Sequence, residues 1–390
     1  MTPIAPGRDL RRMLYILVEV GSRELLSRMI LAEQARRRGY RVVVGEKNLL
    51  RNLCWLFRAP RGIILDKCGQ NWKTYPIRAL RRRGFVYAVL DEEGLLYSHS
   101  NRLPGPGDLM LFNSEYQRRL SGCEAREADI VGNPRLNPRE LLPYLQDEVS
   151  WIRDRYGDFV LVCSSFDPRM ESSYAFPEEA RLDERYREAF LAIITRLARS
   201  VPLVYRPHPS DGDGFAERVK HMVPVERRFT ILPWIAASKL VLNAKCTSSL
   251  EALRLGVPSA TLSFKSRNHA KVNALSRRFY DVDSLCRYIE AGHYGLELSG
   301  CKQRYVAAIC GPERPAERLL QRLDAVELPG VNRFAAASWG ARATSALNRV
   351  VYGPTATAYM LDKFGRHTYA DRFPGFRSYL QGRLIMSEES

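Results

Sequence analysis

The hydrophobic residues of this chain come in short unbroken runs, separated by longer stretches in which they recur every three or four positions. Apolar runs at residues 13–20, 41–45, 61–66, 85–90, 109–112 and 128–131 have strand length and strand composition. Between them, residues 24–38 place Leu25, Leu26, Met29, Ile30 and Leu31 on one side of a helix, and residues 75–83 form a second helical stretch. Continuous apolar strands alternating with amphipathic helices predict a parallel sheet covered on both faces. Pro134, Pro138 and Pro143 interrupt the series, and a helical stretch at 142–156 follows. The alternation then resumes, with strands predicted at 159–163, 201–205, 229–232, 239–242 and 259–263 and helices at 184–199 and 248–255. The last helix stops at Gly256, with Pro258 just beyond.

The fold class this predicts is α/β, with two Rossmann-like domains facing a cleft. Their ranges are 1–145 and 146–330, and residues 331–390 form a helical C-terminal segment mixing Arg with aromatic residues. Strand carboxyl ends are expected to line the cleft, where open α/β sheets bind ligands.

Charge changes the picture of the partner. The net charge of +17 favours polyanions: a glycan, anionic lipid headgroups or nucleic acid. Two arginine runs, Arg36 to Arg38 and Arg81 to Arg83, each precede a glycine and an apolar strand, which is ordinary helix-ending chemistry. No RNA-binding aromatic motif or GXXG loop accompanies the charge, so no specific nucleic-acid partner is expected. No apolar run reaches the roughly 20 residues that span a bilayer, and the first residues lack a signal-peptide core. The eight cysteines show no paired spacing, which predicts reduced thiols, no zinc site and a cytoplasmic location. The basic, aromatic tail reads as a segment packed over the domains or as a contact with an anionic membrane surface.

Three constellations carry candidate chemistry. The run at 201–205 leads into Arg206, Pro207, His208, Pro209 and Ser210, which sets a planar cation and an imidazole on a rigid backbone. The run at 239–242 leads through Asn243 and Lys245 into Cys246, Thr247, Ser248 and Ser249, with Glu251 one turn later. Hydroxyls at a helix N-terminus form an anion site, and the same residues also fit a simple capping box. The run at 85–90 leads into Asp91, Glu92, Glu93 and Gly94, where mutual repulsion raises at least one carboxyl pKa and suits a general base or nucleophile. A solvated acidic turn is the plainer reading of that segment.

Taken in order, several short segments resemble the bacterial surface carbohydrate biosynthesis proteins, a family of GT-B architecture. They also resemble bacterial polysialyltransferases and the capsule and O-antigen Kdo transferases. The segments are Leu90 to Gly94, Gly132-Asn133-Pro134-Arg135, Arg206 to Pro209, Leu232-Pro233-Trp234, Cys246 to Ala252 and Gly256-Val257-Pro258. The resemblance implies a glycosyltransferase of capsule or O-antigen synthesis. Its expected donor is a CMP-linked acidic sugar, Kdo-like or sialic-acid-like, and its acceptor a glycan or lipid-linked glycan. It implies Glu92 or Glu93 as the catalytic carboxylate beside Asp91, with His208 assisting departure of CMP. Arg206 and His208 would hold the donor phosphate and sugar carboxylate; Ser210, Cys246, Thr247, Ser248 and Ser249 would surround the phosphate. Pro233, Trp234 and Asn243 would lie near the nucleotide and Glu251 near the ribose, with Lys67, Asn133 and Arg135 on the acceptor or cleft side. No metal or other cofactor is implied, and the enzyme would work in the cytoplasm or at the inner face of the membrane. Two further readings stand beside this one: a CDP-alditol phosphotransferase or UDP-sugar 2-epimerase-like enzyme, and a non-catalytic polyanion-binding scaffold.

Overall fold

The computed structural model describes residues 12–18, 21–47, 50–51, 54, 59–67, 75–90, 108–121, 128–164, 166, 177–208, 214–244, 246–264, 274–296 and 300–328. The chain divides into two compact units. One is built on the residues up to Arg135 together with a return from Ala308, and the other runs from Leu136 to Ala307. The α/β class expected from the apolar runs is what the structure shows.

The first unit carries a six-stranded sheet in the order β2-β1-β3-β4-β5-β6, every neighbour parallel. The strands are β1 (Met13–Val18), β2 (Arg41–Glu46), β3 (Gly62–Asp66), β4 (Val86–Leu90), β5 (Leu109–Phe112) and β6 (Ala128–Ile130). β1, β3 and β5 are buried along their whole length, which is why they read as unbroken apolar runs rather than alternating ones. The helix Gly21–Arg37 sinks Leu25, Met29, Ile30, Leu31 and Ala35 into the core.

The return of the chain depends on two glycines. At Gly311 (φ +69°) a Cβ would lie 1.6 Å from the carbonyl oxygen of Asn113, and at Gly132 (φ +82°) it would lie 2.9 Å from Pro315. Only a residue without a side chain admits this approach and this dihedral together. The helix Pro315–Asp324 that follows is tied down at its end: the Asp324 carboxylate takes Arg38 Nη1 at 2.9 Å and the Tyr40 hydroxyl at 2.8 Å, and its carbonyl takes Arg12 Nη1 at 2.9 Å. Arg38 therefore anchors the return, whereas Arg36 and Arg37 pair with Glu33 at 3.6 and 3.2 Å on their own helix.

The second unit carries a five-stranded parallel sheet in the order β11-β10-β9-β7-β8. Its strands are β7 (Val160–Ser164), β8 (Leu203–Arg206), β9 (Leu240–Ala244), β10 (Ser259–Leu262) and β11 (Arg277–Phe279). Val160, Val162 and Leu242 pack against the helix Pro177–Leu197 on one side; Leu161, Val204 and Val241 meet Trp234 and Ile152 on the other.

One expected strand is a helix. Residues 229–232 open the helix Ile231–Ala237 instead. Phe229 turns the chain at φ 65°, and Thr230 is extended at the N-cap position. Pro233 then falls in the first helical turn, where its missing N–H has no intrahelical acceptor to lose. Tertiary burial decides the outcome, because a helix puts Leu232, Trp234 and Ile235 on the inward side. The strand β11 and the helix Val282–Glu290 were not legible in the apolar runs. That helix is capped by Asp281, whose carboxylate accepts from the Ser284 amide at 2.7 Å.

Candidate functional site

In the second unit the strand register lines up a polar row at the carboxyl edge of the sheet. Arg206 on β8 pairs with Cys163 on β7, Cys163 with Asn243 on β9, and Asn243 with Thr261 on β10. Asn243 sits at the centre of this row and is fully enclosed. Its side-chain oxygen accepts from the Cys246 amide at 3.0 Å, which fixes the turn from β9 into the helix Ser248–Leu255. Its amide nitrogen is buried without a hydrogen-bond partner. Thr261 Oγ1 donates to the Asn243 carbonyl at 2.8 Å and holds the strand end in place.

The helix after β9 opens as the sequence predicts, but without the capping box. Thr247 occupies the N-cap in helical rather than extended geometry and makes no side-chain cap bond, so the box between Thr247 or Ser248 and Glu251 does not form. Ser248, Ser249 and Glu251 are buried in the first turn, and Ser249 Oγ reaches back to the Cys246 carbonyl at 3.4 Å. Burial pushes the Cys163 thiol well above its ordinary range; neighbouring Cys246 adds to this, while Arg206 and the Ser248 hydroxyl oppose it. In that state Cys163 is a neutral thiol at physiological pH.

Two residues expected on the donor side make contacts within the fold. Arg206 is the last residue of β8 and its guanidinium is directed at the 226–229 loop. Nη1 donates to the carbonyls of Arg228 at 2.7 Å and Glu226 at 3.4 Å, and Nη2 to that of Phe229. The fork that suits a phosphate suits clustered carbonyls equally well, and here it shapes the loop. Trp234 does not offer a face to a nucleotide. It is wholly buried against Tyr156 and Phe159, and its indole N–H donates to the Arg228 carbonyl at 2.7 Å. Pro233 is buried beside it. His208 is half-buried two residues past the strand and is not without a partner in the fold.

In the first unit, Asn133 and Arg135 form a local turn, the Asn133 side-chain oxygen accepting from the Arg135 amide at 2.9 Å. Lys67 belongs to a larger cluster that sequence reasoning missed. Asp66, the last residue of β3, accepts from Lys47 Nζ at 3.1 Å, from the Tyr87 hydroxyl at 2.5 Å and from the Lys67 amide at 2.7 Å. Lys67 Nζ pairs with Glu24 at 3.1 Å. The available signal was an ionisable pair, Asp66-Lys67, directly after the apolar run of β3. Asp91, Glu92, Glu93, Ser210 and the segment 331–390 lie outside the described residues, as does Lys245. Among the described residues no group of three His, Cys, Asp or Glu side chains is arranged to hold a metal ion, and no helix is long and apolar enough to cross a membrane.

No protein-family model matches the chain, and no curated protein matches it. Solved structures do. One is the UDP-GlcNAc 2-epimerase of Methanocaldococcus jannaschii in complex with UDP-GlcNAc and UDP: TM-score 0.53, 12% identity, over 81% of this chain and 100% of that one. A putative UDP-N-acetylglucosamine 2-epimerase from Listeria monocytogenes gives 0.54 at 11% identity over 83% and 100%. S. aureus MnaA with UDP gives 0.50 at 14% identity over 83% and 99%. At these identities the likeness is one of fold: two parallel α/β units of GT-B-like type.

Proposed function

We propose that the chain is an enzyme that binds a nucleotide-linked sugar at the carboxyl edge of its second sheet, and that the nucleotide is a uridine diphosphate. The observation that carries this reading is the Asn243 amide: a buried donor without a partner, beside a helix N-terminus bearing Thr247, Ser248 and Ser249. A buried unpaired N–H costs about 1–3 kcal/mol, and an anionic oxygen of a ligand relieves that cost. Helix N–H groups and hydroxyls alongside it complete a site for a phosphate. The fold shared with UDP-GlcNAc 2-epimerases supports uridine over the cytidine of the CMP-sugar expectation.

The reaction proposed first is inversion at C2 of the sugar. Its chemistry breaks the bond between the anomeric carbon and a phosphate oxygen while the C2 proton is lost to a base, giving a glycal and UDP that recombine with a proton delivered to the other face; charge develops on the phosphate oxygen as it leaves. Neutral, preorganised donors such as the Asn243 amide and the hydroxyls of the Ser248 helix stabilise such a leaving group without needing counter-charges. Glycosyl transfer starts by breaking the same bond. It is the second reading, favoured by the order of the motifs and by the net charge of +17, which suits an acidic glycan or an anionic membrane surface as partner.

Incubation of the full-length protein with UDP-GlcNAc in deuterated water separates the two. Deuterium at C2, with appearance of the 2-epimer, supports epimerisation. Retention of the proton at C2, with UDP released only when a glycan acceptor is present, supports transfer. If UDP gives no thermal stabilisation while CMP or CDP does, the uridine assignment is wrong. If no nucleotide stabilises the protein, the enzyme reading falls and polyanion binding takes its place.

A further inference from the structure

Two enclosed amide side chains of the first unit have polar atoms with nothing to bond to. Asn113 directly follows β5 and is 0% exposed; Gln117, one turn later in the helix Glu115–Ser121, is 1% exposed. Neither Nδ2 nor Oδ1 of Asn113 has a hydrogen-bond partner among the described residues, and the same holds for Nε2 of Gln117. An amide left unpaired at both ends is unusual, because a buried polar group without a partner costs stability that an apolar side chain of the same size would not. The surrounding backbone is nevertheless held firmly. Gln117 Oε1 accepts from the Asn113 backbone amide at 2.6 Å, and the Gln117 amide donates to Ser114 Oγ at 3.3 Å. The Asn113 carbonyl lies against Gly311, so the return of the chain pins this residue without using its side chain. β5 lies between β4 and β6, and Asn113 stands at its carboxyl end, the edge where parallel α/β sheets bind ligands.

The unpaired atoms define the chemistry of the missing partner. Asn113 offers an acceptor at one end of its amide and N–H donors at the other. Gln117, whose oxygen is already taken, offers donors only. An ionised carboxylate or a phosphate diester accepts from the donors but has no hydrogen for Asn113 Oδ1, which would stay unpaired. A hydroxyl both donates and accepts, so hydroxyl groups satisfy all three atoms. The acid next in sequence, Glu115, is engaged by Arg118 and Arg119 at 2.7 and 2.9 Å. The groups left to meet a ligand are therefore neutral ones.

We propose that Asn113 and Gln117 bind hydroxyl groups of an uncharged sugar, Asn113 through both ends of its amide and Gln117 through Nε2. The inference rests on the reading of the protein as a sugar-active enzyme, but its site lies wholly in the first unit and concerns the sugar ring, not the nucleotide.

The test is calorimetric titration of the full-length protein with glucose, galactose and N-acetylglucosamine, each with and without saturating UDP, in wild type and two variants. Gln117→Glu keeps the oxygen that holds the Asn113 backbone amide and removes the Nε2 donors. Asn113→Leu removes both unpaired ends of the other amide at similar size. At least one of the three sugars should bind wild type. Both variants should weaken that binding tenfold or more and leave the dissociation constant for UDP unchanged. Urea unfolding without sugar gives a second readout: Asn113→Leu should unfold at a midpoint no lower than wild type, since its side chain gives up no hydrogen bond made within the fold. If none of the sugars binds in either arm, the proposal is overturned, and a loss smaller than tenfold in either variant overturns it too. So does an Asn113→Leu midpoint well below wild type, or failure of that variant to fold, because an internal water would then be what satisfies the amides. Failure of UDP to bind sinks the nucleotide-sugar reading alone, because the arms without UDP still decide the sugar site.

Discussion

Replacing Asn243 by Asp isolates one atom group of the candidate nucleotide site. The substitution keeps the side-chain oxygen that accepts the Cys246 amide at 3.0 Å, so the turn into the Ser248 helix is retained. It removes the buried amide nitrogen that has no partner in the ligand-free fold. If that nitrogen donates to a phosphate oxygen, the lost charge-assisted bond is about 1.5–3 kcal/mol. At 1.4 kcal/mol per tenfold, UDP should bind roughly 10–150 times more weakly, before any repulsion between the new carboxylate and the phosphate. Calorimetry with UDP on wild type and Asn243→Asp reads this directly. Binding within threefold of wild type would refute the assignment of Asn243 to the ligand. Stability gives an independent check. The new carboxyl is fully enclosed, so burial raises its folded pKa above the unfolded value of about 3.9. A raised folded pKa means that the variant's deficit is smallest below pH 4 and grows as pH rises through the folded value. A deficit independent of pH would show that the carboxyl reaches solvent.

The remaining predictions concern the frame around the site. Gly311→Ala should lose about 3 kcal/mol or more in urea unfolding, combining a left-handed dihedral of about 1–2 kcal/mol with an overlap against the Asn113 carbonyl, whereas Gly256→Ala, with φ +76° but nothing within 4 Å, should lose only about 1–2 kcal/mol; equal losses would show that the return of the chain is not locked at Gly311. Arg206→Lys should lower stability by about 2–3 kcal/mol, since an ammonium cannot replace a fork bonded to the carbonyls of Glu226, Arg228 and Phe229, and should affect UDP affinity less than Asn243→Asp does. The reverse ranking would return Arg206 to the ligand. Glu115, hydrogen-bonded by Arg118 and Arg119, should titrate near 2 by carboxyl NMR, and its contribution is complete above its ordinary value of 4.5 and lost as pH falls through about 2. In Arg118→Ala/Arg119→Ala the midpoint should return towards 4.5, and an unmoved midpoint would exclude the two guanidinium groups as the cause.

The sheets were readable because parallel strands buried on both faces leave unbroken apolar runs. The runs at 109–112 and 85–90 needed almost no revision for that reason, the second strand starting one residue later at Val86. The helix at 231–237 was not, because Phe-Thr-Ile-Leu has strand composition and only the burial of Trp234 selects a helix. Residues 277–279 escaped because Arg-Arg-Phe has no apolar run and β11 is an edge strand, paired only to β10. The helix stop at Gly256 was legible, since a left-handed C-terminal glycine followed by proline is a local signal. The return to the first unit after residue 307 has no such signal. It depends on Gly132 and Gly311 meeting across nearly 180 residues of sequence, and a glycine reads the same whether it turns or packs.

Arg206 shows why a site is harder to read than a sheet. The sequence places a guanidinium at a strand end; whether it points at a ligand or at its own loop is a question of what else lies within hydrogen-bond reach, and three carbonyls do. The two carboxyl edges also solve different electrostatic problems. The edge around Asn243 offers an amide, hydroxyls and helix N–H groups, which are cheap to bury and need no counter-ions. Such donors suit a phosphate that must gain charge during reaction and then leave. The edge around Asp66 holds fixed ions, which are costly to bury and need carboxylates beneath them to stay in place. Lys47 is held by Asp66 and Lys67 by Glu24, both at 3.1 Å, so losing one of these buried acids should destabilise the fold by more than losing an exposed partner such as Glu33 does.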